Sequence, residues 1–132
     1  MLTSVLLWVH VMGNLLWIGS ITAVAVALGS EPSGRSALAI YRRLANPGFI
    51  ASFLGGVALL ASNPKLYFVQ THWMHAKLPI ALAVIALHHM VGAHAKRVAA
   101  GDREGPGRTA VLGAVLAACA AVAAFLGVAK PF

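Results

Sequence analysis

Histidine and lysine side chains occur inside two stretches of the chain that are otherwise apolar. One stretch contains His10, and the other holds His75 and Lys77 in the sequence WMHAKL and continues to His88. Ionisable groups inside a membrane are costly and usually mark functional sites. Imidazoles bind metals and exchange protons near neutral pH, and a lysine amine in its neutral form serves as a base or a ligand. The two stretches are therefore the candidate sites of chemistry.

The composition indicates a helical membrane protein. Hydrophobic residues make up 60% of the 132 residues and charged residues only 10%, a balance that no soluble domain fits. Four apolar stretches are each long enough to supply the ~20 residues that a helix needs to span a bilayer. They predict transmembrane helices at residues 2–28, 38–61, 73–95 and 109–128. The predicted fold is an all-α, antiparallel, up-and-down four-helix bundle with short loops, forming a single transmembrane domain over residues 1–132.

The positions of the basic residues predict the orientation of the bundle. Lysine and arginine in short loops remain on the cytoplasmic side. The first loop region carries Arg35, Arg42 and Arg43 and the third is also basic, whereas the second has only Lys65. We therefore expect both termini outside the cytoplasm. The formal net charge of +7 fits this topology and attraction to anionic lipid, and we expect no nucleic-acid binding because the chain has no basic soluble face.

Helical periodicity groups the polar residues of the first helix on one face. Thr3, His10, Asn14 and Trp17 lie within about 40° of one another at ~100° per residue. This face is expected to point into the bundle. There it provides either hydrogen bonds between helices or a site that binds a ligand or handles protons.

The third helix presents histidines on two faces. Lys77 and His88 fall about 20° apart around the helix axis, whereas His75 and His89 lie on a roughly opposite face. At 1.5 Å per residue, His10 lies ~12 Å and Lys77 ~8 Å from the outer ends of their helices, so their depths are similar. His88, at ~24 Å on the same scale, lies deeper.

Structural roles are the alternatives for several of these groups. Lys77 is near enough to the outer interface for its long stem to carry the ammonium group to water. His75 can anchor the interface beside Trp73. His72 and His94, near the two ends of the third helix, are predicted to be residues at loop edges.

The chain resembles the HemJ-type protoporphyrinogen IX oxidases over nearly its full length. The matching features are WMHAKL at residues 73–78 with His88 and His89, Trp17 seven residues after His10, YRRL at residues 41–44 and KPF at residues 130–132. The WMHAKL cluster is the most specific of them. The chain departs from the family pattern after the first helix, where a Pro-Arg-Leu turn is usual but residues 24–28 are VAVAL.

The resemblance implies a reaction and a cofactor. Members of that family are bacterial inner-membrane proteins that oxidise protoporphyrinogen IX to protoporphyrin IX, carry haem b and pass electrons to a quinone or the respiratory chain. It makes His10 and Lys77 the catalytic and metal-binding pair, with His10 the first choice as axial haem ligand. The other cofactor-binding residues predicted here are His75, His88, Arg42 and Arg43. The arginines would pair with carboxylates of haem or substrate. A chain this small could also enclose a cavity between protomers, as a homo-oligomer.

Two other functions remain open. A haem-binding relative that has lost the reaction would act as a b-type haem protein that shuttles electrons. A copper-handling membrane protein, similar to the copper-resistance protein D family, would use adjacent sulfur and imidazole donors. The donors in question are Met74 with His75, His88 and His89 with Met90, and Met12 near His10.

Overall fold

Four long helices make up most of the chain. The computed structural model describes residues 1–30, 33–102 and 106–129. The helices are α1 (Leu2–Ser30), α2 (Arg35–Ser62), α3 (Trp73–Ala99) and α4 (Pro106–Ala129). No strand occurs in these ranges, so the predicted all-α bundle is confirmed. The KPF sequence at residues 130–132 lies outside the described residues.

The helices extend beyond the apolar stretches that predicted them. α1 continues two residues past its predicted end, α2 begins at Arg35 and α3 continues to Ala99. Apolar composition marks the part of a helix that crosses the hydrocarbon core, whereas the helix itself continues into the polar headgroup region. The segment between α2 and α3, predicted as a loop, contains a short π-helical turn at Leu66–Gln70.

Glycines bring the backbones of α1 and α2 into contact. A Cβ atom on Gly48 would lie 2.7 Å from the backbone nitrogen of Trp17, and one on Gly55 would lie 2.9 Å from that of His10. Small residues allow such close approach between membrane helices. Gly48 faces Trp17, and the later residue Gly55 faces the earlier residue His10. The two helices are therefore antiparallel.

The core forms where α1 meets the other three helices. Its buried apolar side chains include Trp17, Ile21, Val24, Tyr41, Val84, Val91 and Leu116. α4 is more peripheral, with Leu116 and Leu126 buried and much of its apolar surface exposed. Within the described residues, four helices are long and apolar enough to cross a membrane, which fits an integral membrane protein with lipid around it.

The start of α2 packs over the end of α3. Gly34 has a φ of 62°, and a Cβ atom there would lie 2.7 Å from a side-chain methyl carbon of Val98. Glycine adopts this left-handed conformation without steric cost, which allows the chain to turn tightly into α2. Ala37 and Ala95 are completely buried near this contact. Arg35 and the basic last turn of α3 consequently lie at the same end of the bundle.

Candidate functional site

His10 has a fixed orientation against α2. Its Nδ1 lies 2.7 Å from the backbone carbonyl oxygen of Ser52. A carbonyl oxygen can only accept, so Nδ1 carries the proton of the neutral imidazole and Nε2 retains a lone pair. The Asn14 amide nitrogen lies 3.2 Å from Nε2 and also donates to the His10 carbonyl oxygen at 2.9 Å. The Nε2 lone pair of His10 therefore accepts from Asn14, and a metal ion that took the place of this amide could bind there.

Two glycines of α2 shape the space around the His10 ring. A Cβ atom on Gly56 would lie 3.0 Å from both Cε1 and Nδ1 of the imidazole. Gly55 faces the His10 backbone one residue earlier. The ring can therefore lie directly against the α2 backbone. His10 remains half-buried, so part of its surface is accessible from outside the bundle.

Lys77 lies in the same region of the protein. Its Nζ is 5.6 Å from the centroid of the Trp73 ring, a geometry that allows a cation–π interaction. A Cβ atom on Gly127 of α4 would lie 3.2 Å from that nitrogen. Lys77 is half-buried and lies within electrostatic reach of His10. The structure thus brings the two residues of the predicted pair into one region.

His88 occupies an enclosed aromatic box. It is 0% exposed, and the indole nitrogen of Trp17 donates a hydrogen bond of 3.0 Å to its Nδ1. Because Nδ1 accepts, the proton of the neutral ring is on Nε2, which lies 3.4 Å from the Tyr41 hydroxyl oxygen. Phe49 stacks on the ring with centroids 4.8 Å apart. Both nitrogens are occupied, so iron binding at His88 would require one of these hydrogen bonds to break.

The aromatic box connects three helices. Trp17 belongs to α1, Tyr41 and Phe49 to α2, and His88 to α3. Tyr41 begins a π-helical segment, Tyr41–Ala45, in which Tyr41 and Ala45 are buried while Arg42 and Arg43 are exposed. A Cβ atom on Gly92, one turn after His88, would collide with the Tyr41 ring. Gly92 therefore provides the space in which the tyrosine stacks on His88.

The remaining predicted cofactor residues are exposed, apart from His88 in the aromatic box. His75 is exposed, with ring centroids 6.5 Å from Phe68 and 6.3 Å from His72. Arg42 and Arg43 lie on the surface of α2, about 12 or 13 residues from the glycine that contacts His10, or ~20 Å at 1.5 Å per residue. Their roles toward haem or substrate stay predictions.

The prediction that His94 is a loop-edge residue is wrong. Its side chain is only 3% exposed, and α3 continues to Ala99. The start of α2 packs over this part of α3, and Ala95, next to His94, is completely buried as well. His72 is exposed at the other end of α3, as predicted. Thr3 is exposed as well, so the inward-facing side of α1 begins farther along the helix than the periodicity predicted.

The donors considered for copper point in different directions. Met74 is buried while the adjacent His75 is exposed, and His88 is buried while His89 and Met90 are exposed. In the part of the chain that the structure describes, no group of three or more His, Cys, Asp and Glu side chains is positioned to hold a metal ion. The sulfur and imidazole donors that are neighbours in the sequence therefore do not form one enclosed metal site within the described residues.

Sequence reasoning missed most of the partners that α2 and α4 contribute. Ser52 and Gly56 position the His10 ring, Phe49 and Tyr41 enclose His88, and Gly127 faces Lys77. The Gly55-Gly56 pair was the available signal, because adjacent glycines inside an apolar helix often permit close approach of another helix. The carbonyl acceptor on Ser52 has no signal in the sequence, since every residue carries a backbone carbonyl.

Comparison of the chain with protein-family models, with curated proteins and with solved structures finds no match in any of the three.

Proposed function

We propose that this protein is a haem b-containing membrane oxidoreductase that oxidises protoporphyrinogen IX to protoporphyrin IX. In this proposal it lies in the bacterial inner membrane with both termini outside the cytoplasm. The observation that carries the haem site is the His10 imidazole, whose Nδ1 bonds to the Ser52 carbonyl at 2.7 Å and whose Nε2 keeps a lone pair. The substrate and the reaction come from the resemblance of the WMHAKL cluster to the HemJ-type oxidases.

The residues around His10 fit a histidine that would hold the iron of haem. Histidines that bind metals commonly donate their other ring N–H to a carbonyl or carboxylate, which fixes the tautomer and the ring orientation. A porphyrin supplies most of the iron ligands itself, so one protein imidazole is enough to begin a site. The Asn14 amide next to Nε2 also bonds to the His10 carbonyl oxygen at 2.9 Å. It can therefore leave Nε2 and keep a hydrogen bond.

The surface around His10 suits a flat apolar ligand that enters from the bilayer. Trp8 and Val11 on α1 are exposed, and so are Phe53 and Val57, which follow Ser52 and Gly56 on α2. In a membrane these side chains face the hydrocarbon, where a porphyrin dissolves more readily than in water. The polar groups of His10 and Asn14 interrupt this apolar surface. A macrocycle arriving from the lipid would therefore meet an apolar surface with one imidazole in it.

The chain has to manage protons as well as electrons in this reaction. Oxidation of protoporphyrinogen IX releases six electrons and six protons, and the electrons leave to a quinone or another respiratory acceptor. When bound, haem b supplies one-electron redox chemistry. In its neutral form, Lys77 Nζ accepts a proton from substrate next to Trp73, and it lies within electrostatic reach of His10. Lys77 as a second iron ligand is the alternative role.

A non-catalytic b-type haem protein is the second candidate. It is favoured by the VAVAL sequence, which occupies the position of the turn usual in the family. Val24, Ala25 and Leu28 of this segment are buried in the core, so it contributes packing and no polar group. In this case the His10 site would still bind haem, but porphyrinogen would not be oxidised.

Visible spectroscopy tests the haem proposal. The full chain is purified in mild detergent, reconstituted with haem b, and measured oxidised and after dithionite reduction. We expect a b-type spectrum that His10→Ala abolishes and that His89→Ala leaves unchanged, because His89 is exposed. A protein that stays colourless after reconstitution would contradict the haem site.

An assay of porphyrinogen oxidation with a quinone acceptor then separates the two candidates. Turnover that depends on His10 and Lys77 supports the oxidase. A reducible haem without turnover supports the electron-transfer protein.

A further inference from the structure

A cleft separates the last turns of α3 from the first half of α4. Its volume is about 530 Å³, within the range of ligand pockets. It is lined by Met90, Ala93, His94, Lys96, Arg97 and Leu112. None of these residues belongs to the His10 region or to the aromatic box. The cleft is therefore a separate feature, independent of the function proposed above.

The chemistry of the cleft changes along the helix axis. Met90, Ala93 and Leu112 form an apolar wall, whereas Lys96 and Arg97 lie in the last turn of α3. Seven residues separate Met90 from Arg97, which corresponds to ~10 Å at 1.5 Å per residue. An apolar inner part and a cationic outer part at this spacing match the boundary between acyl chains and headgroups in a membrane.

We propose that this cleft binds an anionic phospholipid. The lipid phosphate lies between Lys96 and Arg97, and one acyl chain runs along Met90, Ala93 and Leu112. Basic pockets between transmembrane helices are known to favour anionic headgroups, and arginine and lysine both bind phosphate oxygens well. The cationic rim on an apolar wall is the observation that selects a lipid over a water-soluble anion.

Native mass spectrometry of the full chain in detergent tests the proposal. The probes are phosphatidylglycerol and phosphatidylcholine with identical acyl chains, added at equal concentration. We expect phosphatidylglycerol to be retained preferentially. Lys96→Gln combined with Arg97→Gln should weaken its binding roughly 25-fold, since each basic residue near the surface contributes roughly 5-fold. Retention of both lipids to the same extent by the unmodified protein would overturn the proposal.

A control variant with the same change in charge distinguishes lipid binding in the cleft from general attraction of lipid to surface charge. Arg42→Gln combined with Arg43→Gln also removes two adjacent cations, but these residues are exposed on α2 outside the cleft. We expect this variant to retain phosphatidylglycerol within roughly 5-fold of the unmodified protein. Equal losses in the two double variants would mean that the attraction is generic, and the cleft would not be a site.

A second pair of variants tests the apolar wall without changing charge. Ala93→Trp fills the cleft, whereas Ala86→Trp places the same side chain two turns away on the same face of α3, where Ala86 is also exposed. Only Ala93→Trp should reduce phosphatidylglycerol binding. Size-exclusion elution and helical circular dichroism confirm that each variant is folded.

If Lys96→Gln with Arg97→Gln instead removed bound haem and left lipid binding unchanged, the cleft would serve porphyrin carboxylates and the lipid proposal would be wrong.

Discussion

His10 and His88 are the same side chain in two different settings. His10 is half-buried, gives one ring nitrogen to a backbone carbonyl and leaves the other beside an amide at 3.2 Å. His88 is completely buried, and side chains from two other helices occupy both of its nitrogens. Both histidines connect helices through one ring nitrogen, and they differ in the partner of the other nitrogen: an amide of the same helix at His10, and a side chain of another helix at His88.

The difference follows from the cost of burying polar groups. An unpaired polar group in an apolar interior is destabilising, so a fully buried histidine must have its hydrogen bonds inside the protein. His88 satisfies this requirement through Trp17 and Tyr41. His10 has an accessible surface and an Asn14 partner with a second acceptor, so its Nε2 can exchange partners at low cost. The comparison predicts that substitutions at His88 affect stability and those at His10 affect ligand binding.

The largest expected effect on stability is that of His88→Ala. The change removes two hydrogen bonds, leaves the Trp17 N–H without its acceptor and opens a cavity between aromatic rings. We expect a loss of about 3–5 kcal/mol in the free energy of unfolding. Denaturant titration in mixed micelles measures it. His89→Ala removes an exposed ring that meets Phe49 and His88 only edge-on, and it should cost less than about 1 kcal/mol. Equal costs for the two variants would show that the box is not a stabilising unit.

Gly92→Val should give the next largest effect on stability. A side chain at this position collides with the Tyr41 ring that stacks on His88. Overpacking of this kind costs about 1–3 kcal/mol, and the same titration detects it. Gly19→Val is the control, because a Cβ atom there would meet no atom within 4 Å beyond the backbone of its own helix and its chain neighbours. A destabilisation as large at Gly19 as at Gly92 would indicate a general intolerance of valine in these helices.

The Lys77→Met variant tests what the lysine amine does in the region around His10. It keeps a long apolar stem beside Trp73 but removes the amine. If the amine is the proton acceptor of the proposed oxidation, turnover should fall at least about tenfold while haem content stays unchanged. Quinone-linked porphyrinogen oxidation together with the reduced spectrum measures both. Lys65→Met, at an exposed position before α3, is the control. Loss of haem in Lys77→Met would instead assign the amine to the iron.

Gly56→Ala should have the smallest of the four effects. The new methyl group would lie 3.0 Å from two atoms of the His10 ring, so the ring must move by a few tenths of an ångström. We expect haem affinity to fall about 3- to 10-fold with little change in stability, because such a contact costs about 1 kcal/mol. Haem titration followed at the Soret band measures the affinity, with Gly19→Ala as the control. An unchanged affinity would mean that the His10 ring accommodates the added methyl group without weaker haem binding.

The sequence predicted the helices well because a membrane span requires a long apolar stretch, and the chain has four of them. It also placed His10 and Lys77 at similar depths, and in the structure the two residues lie within electrostatic reach of each other. His94 was mispredicted because neighbouring cations marked the end of the apolar stretch, whereas the packing of α2 over α3 decides its burial. The hydrogen bond from Trp17 to His88 joins residues 71 positions apart, and no periodicity within one helix can reveal it.

The most direct test compares His10→Ala with His88→Phe in the same experiment. Both proteins are purified in mild detergent and reconstituted with haem b, and haem binding and unfolding are measured on each. We predict that His10→Ala loses the b-type spectrum and unfolds within about 1 kcal/mol of the unmodified protein. His88→Phe should keep the spectrum while its unfolding free energy falls by about 1–3 kcal/mol, because the hydrogen bonds are lost but the ring is retained. Haem loss in His88→Phe with haem retained in His10→Ala would contradict the assignment of the two histidines.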